Sequence, residues 1–391
     1  MIIPRLALRN ILGAGLRTWL NVVVLSFSFV SIILFQGLFR GMDAQASRAR
    51  IESEYGGGQY WQNAYDAFDP LTVEDAHGRL PESLAKLVRD GRATPILVVQ
   101  GTLYPGGRVV PVLIKGIDPG QTILSIPASF LARSADETIP AVIGARMAKS
   151  SDLKIGDTVT LRWRESGGSF NALDIRIVQV MDTSNPAVDN AQVWLPLEKL
   201  RSMARLDGEA TIVVVARDVR SIPEAAGWTY KSLDVLLKDI KSLVRMKTVQ
   251  NSILSGLLLL LAMLAIFDTQ VLSIFRRRKE IGTMMALGMT RPAVVGLFTL
   301  EGALHATLAA LLAALYGTPL ALVLAKKGWA LPKAIDSYSL AIGDKLFPIY
   351  GVGLVLGTTI LVLVVTTIVS YLPARRISKM KPTDALRGRT S

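Results

Sequence analysis

Four long runs almost free of charge limit what this chain can fold into. Thr18 to Phe39 carries no charged residue and is bounded by Arg17 and Arg40. Asn251 to Phe275 is charged only at Asp268, and Arg276-Arg277-Arg278-Lys279 stops it. Ala293 to Ala325 holds no Asp, Glu, His, Lys or Arg except Glu301 and His305, and Phe347 to Leu372 is closed by Arg375-Arg376. Crossing the hydrocarbon core takes about 20 mostly apolar residues, so each run is long enough to span. The predicted spans are 18–39, 251–275, 293–325 and 347–372. In the third, Gly317-Thr318-Pro319 is expected to introduce a kink, because proline removes a helical hydrogen bond. A secretory signal is the alternative for the first run, with Ala44-Gln45-Ala46 as the cleavage site. The run is longer than the ~7–15 residue core of such signals.

Composition narrows the chemistry. The 391 residues are 50% apolar and contain no cysteine, which excludes disulfides, thiolate metal sites and a cysteine nucleophile. Two histidines, His77 and His305, are too few for most zinc or iron centres. No metal or cofactor is expected on this chain.

The formal charge of +13 takes its meaning from its location. Segments 1–17, 276–292 and 373–391 hold fourteen Lys and Arg against Glu280 and Asp384, whereas residues 40–247 are nearly balanced. Four spans bring those three basic segments to one side, and Lys/Arg excess in short loops marks the cytoplasm. Both termini are therefore expected in the cytoplasm, with residues 40–247 and the loop 326–346 outside. This partition replaces a nucleic-acid partner with a lipid membrane.

Residues 40–230 read as an α+β domain. Val159, Leu161 and Trp163 alternate with Thr160 and Arg162, and Ile175 and Ile177 alternate with Asp174 and Arg176, as in half-buried strands. Pro95–Gln100, Val109–Ile114 and Thr211–Ala216 are further strand candidates. Pro81–Arg89 and Pro196–Leu206 are short helix candidates with proline in the first turn. No His/acid/nucleophile set or ligand cluster suggests catalysis. Over 231–250, Leu233, Leu236, Leu237, Ile240, Leu243 and Val244 recur at helical spacing, predicting an amphipathic stalk that enters the second span. The fold class expected is thus membrane α-helical, with four transmembrane helices and an inserted α+β extracytoplasmic domain on a helical stalk.

The basic segment 276–292 carries more than a topology signal. After Arg276 it should form a short helix ending near Gly288, a favoured C-terminal breaker, with Thr290 capping the next helix and Pro292 in its first turn. Lipid phosphates account for its arginines but not for Ile281, Met284, Met285 and Leu287. No G-x-x-x-x-G-K-[ST] phosphate loop occurs in the chain, so ATP hydrolysis by that route is not expected.

Arg277-Arg278-Lys279-Glu280-Ile281-Gly282 followed by Ala286-Leu287-Gly288-Met289-Thr290 resembles the coupling-helix signature of FtsX-like ABC transporter permeases, the superfamily of MacB and the lipoprotein-releasing LolC/LolE. Leu6 to Leu12, Glu301, Pro373-Ala374-Arg375-Arg376 and Pro382 to Arg387 are similar too. So are Lys115-Gly116-Ile117-Asp118, Ala141 to Ala148, Leu153 to Val159 and Val193 to Leu197, in what would be a MacB-like periplasmic domain. The resemblance covers essentially the whole chain. It implies an inner-membrane permease subunit without catalytic residues, working as a dimer with a second copy or a paralogue. Two ABC ATPase subunits would hold ATP and Mg. Arg277, Arg278, Lys279, Glu280, Ile281, Gly282, Leu287 and Gly288 would couple to that ATPase, with the 1–17 amphipathic helix and the tail as secondary contacts. Without a fused ATPase, the LolC/LolE branch is favoured, with a lipoprotein substrate and a periplasmic chaperone or adaptor as partners. MacB-like efflux of peptides, drugs or toxins, and FtsX-like activation of cell-wall hydrolases, are the alternatives.

Two acids fall inside spans. Asp268 lies roughly 12 Å before Arg276 and Glu301 roughly 13 Å after Pro292 along their helices. Such groups are costly in a membrane unless paired. Thr269 and Thr299 are expected partners, His305 lies one turn from Glu301, and a proton or ion pathway is the sharper alternative. Gly353 and Gly357 form a small-x-x-x-small pair expected to admit a neighbouring helix.

Overall fold

The computed structural model describes residues 7, 15–132, 138–330 and 345–379. Its helices are α1 (Gly15–Arg50), α2 (Glu82–Arg89), α3 (Ala145–Ser151), α4 (Leu197–Ala204), α5 (Lys238–Arg276), α6 (Arg278–Ala286), α7 (Arg291–Lys327) and α8 (Val352–Ala374), besides single turns. Two units emerge. One comprises the described parts of 1–42, 243–329 and 346–391, and the other 43–242 with the described part of 330–345.

The first unit holds the apolar segments of α1, α5, α7 and α8, and these four helices are long and apolar enough to cross a membrane. In hydrocarbon a helix satisfies its own backbone hydrogen bonds, which is why the apolar runs adopt it. The 39 residues of α5 extend about 58 Å at ~1.5 Å per residue, nearly twice the ~30 Å core. The helix expected over 231–250 begins at Lys238. Trp228–Lys231 form a strand and Leu233–Leu236 a single turn. Pro319 lies inside α7 without ending it.

Small residues let these helices approach. Ala306, Ala309 and Ala313 of α7 meet Leu25 and Phe29 of α1, Ala262 and Ile266 of α5, and Val362 of α8 in one core. A Cβ on Gly302 would collide with Ser370 of α8. Gly353 and Gly357, by contrast, are exposed with open space around them. Among the described residues nothing packs on the expected glycine pair, and Gly302 and Gly317 on α7 admit neighbouring side chains instead. Most of the 1–17 segment, of the 326–346 loop and of the tail, including Leu6 to Leu12 apart from Ala7 and all of Pro382 to Arg387, lies outside the described residues.

The second unit is built on β1 (Gln59–Gln62), β2 (Gly78–Arg79), β3 (Ala93–Leu103), β4 (Val110–Ile117), β5 (Ile139–Gly144), β6 (Thr158–Arg164), β7 (Phe170–Met181), β8 (Gln192–Pro196), β9 (Glu209–Ala210), β10 (Ile212–Val215) and β11 (Trp228–Lys231). Strands β3-β4-β8-β5-β7-β6 pair in that order, and β6 returns to β3. Six strands therefore close a ring, with β4–β8 and β5–β7 parallel. Closure occurs where Gly101 faces Trp163 and Leu103 faces Leu161. A side chain at Gly101 would lie 2.5 Å from Ile114 Cδ1 and 3.0 Å from the Arg162 carbonyl oxygen, so the seam needs glycine there. The first half of β3 pairs instead with β10 in a second, antiparallel sheet ordered β11-β1-β10-β3.

The alternation read from β6 places Val159, Leu161 and Trp163 inside with Ile175, Ile177 and Leu97. Leu197 and Leu200 of α4 join that core, with Pro196 just before the helix rather than within its first turn. Trp163 is buried and its indole N–H donates to the Met203 carbonyl at 2.8 Å. Leu84 and Leu87 of α2 cover Tyr60, Val213 and Trp228 of the second sheet. Trp163→Ala removes both the packing and the hydrogen bond, so a loss of about 3–5 kcal/mol is expected. Phe170→Ala, on an exposed ring, should stay within about 0.5 kcal/mol. Thermal unfolding of the purified full chain checks both.

Candidate functional site

The corner between α5 and α7 in the first unit sets five charged residues in a row, Arg276 to Glu280. Arg276 ends α5, Arg277 leaves helical geometry at φ −98° and ψ 17°, and α6 restarts at Arg278. Gly288, at φ +98°, follows Leu287 and reverses the chain. Only glycine adopts that conformation without strain. Thr290 precedes α7 with extended geometry, but its side chain makes no capping hydrogen bond, so the expected cap is absent.

The amphipathic sequence of α6 divides it in two. Ile281 is fully buried among Ile274, Val294, Phe298, Ala374 and Ile377, with Met284, Met285 and Met289 packed alongside. Gly282 is buried next to it. The opposite face exposes Arg276, Lys279, Glu280, Thr283, Ala286, Leu287 and Gly288. Leu287 is 83% exposed, unusual for a large apolar side chain at a polar corner. Of the residues singled out in this segment, Lys279, Glu280, Leu287 and Gly288 share the free face, whereas Ile281 and Gly282 point inward. Arg278 stacks on Phe275, its guanidinium carbon 4.3 Å from the ring centroid.

Arg277 is tied into the bundle. Its Nη1 donates to both Glu301 oxygens at 3.1 and 3.2 Å, its Nε donates to Glu280 at 2.8 Å, and it lies over the Phe298 ring. The Glu301 side chain is only 6% exposed. The partner seen for this buried acid is therefore Arg277 rather than Thr299, whose hydroxyl donates to its own helix at Val295. Sequence separation hid the pair: Arg277 and Glu301 lie on different helices and meet only when α6 folds back. His305 Nδ1 is 2.7 Å from the Glu301 carbonyl oxygen, one turn away. Thr269 accepts a hydrogen bond from Asn21 of α1 at 2.6 Å, a contact between spans that sequence reasoning missed. Asp268 lies on the exposed face of α5, and among the described residues no interaction is seen for it.

A second polar cluster lies in the other unit, where α1 continues into a π-helical turn, Ile51–Tyr55. Lys115, 4% exposed, donates to Glu54 at 3.2 Å and lies over Trp194. Asn185 Nδ2 donates to Ser53 Oγ at 3.0 Å, and Ser125 donates through N and Oγ to the Glu52 carbonyl. Lys115 stood out in the sequence; its partner did not, because 61 residues separate them. Among the described residues no group of three His, Asp or Glu side chains is placed to hold a metal ion.

A family model described as FtsX-like permease C-terminal matches residues 252–382, and one described as MacB-like periplasmic core domain matches residues 18–228. An uncharacterized ABC transporter permease of Methanocaldococcus jannaschii is 22% identical over 61% of this chain and 58% of its own length. The macrolide export ATP-binding/permease protein MacB of Sodalis glossinidius is 24% identical over 97% of this chain and 60% of its own. The lipoprotein-releasing system transmembrane protein LolC of Neisseria meningitidis is 21% identical, covering 75% and 77%. The chain thus spans about three-fifths of the first two relatives. The extracellular domain of the noncanonic ABC-type transporter YknZ superposes with a TM-score of 0.26 at 14% identity, over 42% of this chain and 83% of that domain.

Removing one member of a buried ion pair leaves the other uncompensated, at a cost of about 3–5 kcal/mol. Arg277→Met should therefore destabilise the purified chain by that order. Arg277→Met combined with Glu301→Gln should recover part of the loss in thermal unfolding. Additive losses in the double variant would show that the two side chains are not coupled.

Proposed function

The chain belongs to the FtsX-like ABC transporter permeases that carry a MacB-like periplasmic core domain, and from that premise we propose that it relays movement of separate ATPase subunits to that domain. The exposed face of α6 carries the proposal. Leu287 projects an apolar side chain beside Lys279 and Glu280, while Ile281 seats the helix on α7 and α8. A push on α6 then reaches the spans through packed side chains and through Arg277–Glu301. The basic excess of 276–292 and 373–391 supports a cytoplasmic position for this face. At the other end of the relay, Lys115–Glu54 and Asn185–Ser53 hold the domain's barrel to the continuation of α1.

The substrate proposed is a lipoprotein extracted from the membrane. The similarity to LolC, over three-quarters of each chain, supports that reading; the similarity to MacB supports efflux as the second. Purification with a hydrolysis-dead ATPase partner separates them. A trapped lipoprotein is the expected result, and an adaptor with an outer-membrane channel would favour efflux.

The chain is proposed to act as a dimer across α5. Asp268 shares an exposed face with Leu257, Leu261 and Leu264, and an ionisable group at membrane depth normally faces protein or water rather than lipid. Because the chain has no cysteine, Leu264→Cys introduces a single thiol. It should yield a disulfide-linked pair in native membranes, and Leu315→Cys on α7 should not.

Docking is tested at Leu287. Leu287→Asp should weaken ATPase binding about tenfold or more, since an apolar anchor at an interface contributes ~1–2 kcal/mol. Ile155→Asp, exposed in the other unit, should leave binding unchanged in the same pull-down. Equal binding by both variants would remove α6 from the interface.

A further inference from the structure

A cavity of about 240 Å³ lies between α1, α7 and α8. Phe29, Val30, Ala313, Leu322 and Val355 line it, and Gly317 opens its wall, because a Cβ there would sit 2.7 Å from Val30 Cγ2. Tyr350 closes the end nearest Arg40. The segment before α8 lies against α1, with Ile349 N–H donating to the Gly37 carbonyl at 2.9 Å. The Tyr350 ring occupies the space that a side chain at Gly37 would need. Its hydroxyl is buried and has no hydrogen-bond partner among the described residues. Arg40 is exposed, its guanidinium beside Gly351, the next residue.

These features specify a ligand from one end to the other. An apolar cavity does not hold water, and left empty its lining loses dispersion contacts. A buried hydroxyl without a partner is costly, so the occupant should bring an acceptor to Tyr350. Beyond that acceptor the cation of Arg40 favours an anion. An acyl chain, an ester carbonyl and a phosphate, in that order, describe a glycerophospholipid. We propose that this cavity binds one acyl chain of a bilayer glycerophospholipid, with its ester carbonyl on Tyr350 Oη and its phosphate beside Arg40. The site lies within one copy of the chain and does not depend on the transport substrate.

The test uses the full chain in nanodiscs containing phosphatidylethanolamine with a diazirine at the end of one acyl chain. A parallel arm replaces it with a triacylated lipopeptide carrying the same diazirine. The phospholipid probe should label peptides 29–34 and 310–322. Ala321→Phe, which fills the cavity, should reduce that labelling roughly tenfold by exclusion. Tyr350→Phe, a change of one oxygen, should reduce it about threefold to tenfold. Thermal unfolding checks that each variant is folded, and Tyr350→Phe decides the matter should Ala321→Phe fail. Labelling spread evenly over lipid-facing residues, indifference to the variants, or labelling by the lipopeptide alone would each overturn the assignment.

Discussion

A backbone in hydrocarbon has no water to accept its hydrogen bonds, and most of this molecule follows from that constraint. It turns the apolar runs into helices, confines the strands to residues outside those runs, and favours partners for the polar groups inside a span. Arg277 meets Glu301, Asn21 meets Thr269, and His305 turns to its own helix. Asp268 lies on the exposed face of α5, with no partner seen among the described residues.

The same constraint explains why the corner at α6 suits a relay. Hydrophobic packing holds helices together weakly in lipid, because the tails are as apolar as the side chains. Firm connections must come from close packing or from polar contacts. The corner has both: Ile281 in a core of α5, α7 and α8 residues, and an arginine shared between Glu280 and Glu301. In the other unit the barrel is fastened at Ser53 and Glu54 by buried polar contacts of the same kind. Apolar surface fills these places, and ion pairs set their geometry.

Much of the fold was legible in the sequence. The spans, the strand character of β6 and β7 and the inward-facing Val159, Leu161 and Trp163 follow from local periodicity. Ring closure did not, because β3 must pair with both β4 and β6 and only Gly101 marks the place. The glycine pair at Gly353 and Gly357 is exposed among the described residues: spacing shows that a helix could be approached, not by which neighbour. At the candidate site, the residue types of α6 were readable, but their division into a buried Ile281 and an exposed Leu287 needed the neighbouring helices.

The amino-acid sequence by itself determined where the membrane lies and which segments are charged, since hydropathy and charge act over consecutive residues. It also determined the family, through short motifs distributed along the chain. Tertiary structure alone decided which acid is satisfied, which glycine admits a neighbour and where a hydroxyl is left without an acceptor. Those outcomes depend on groups far apart in the chain meeting in a space from which water is excluded. There a single missing partner costs as much as a good contact contributes.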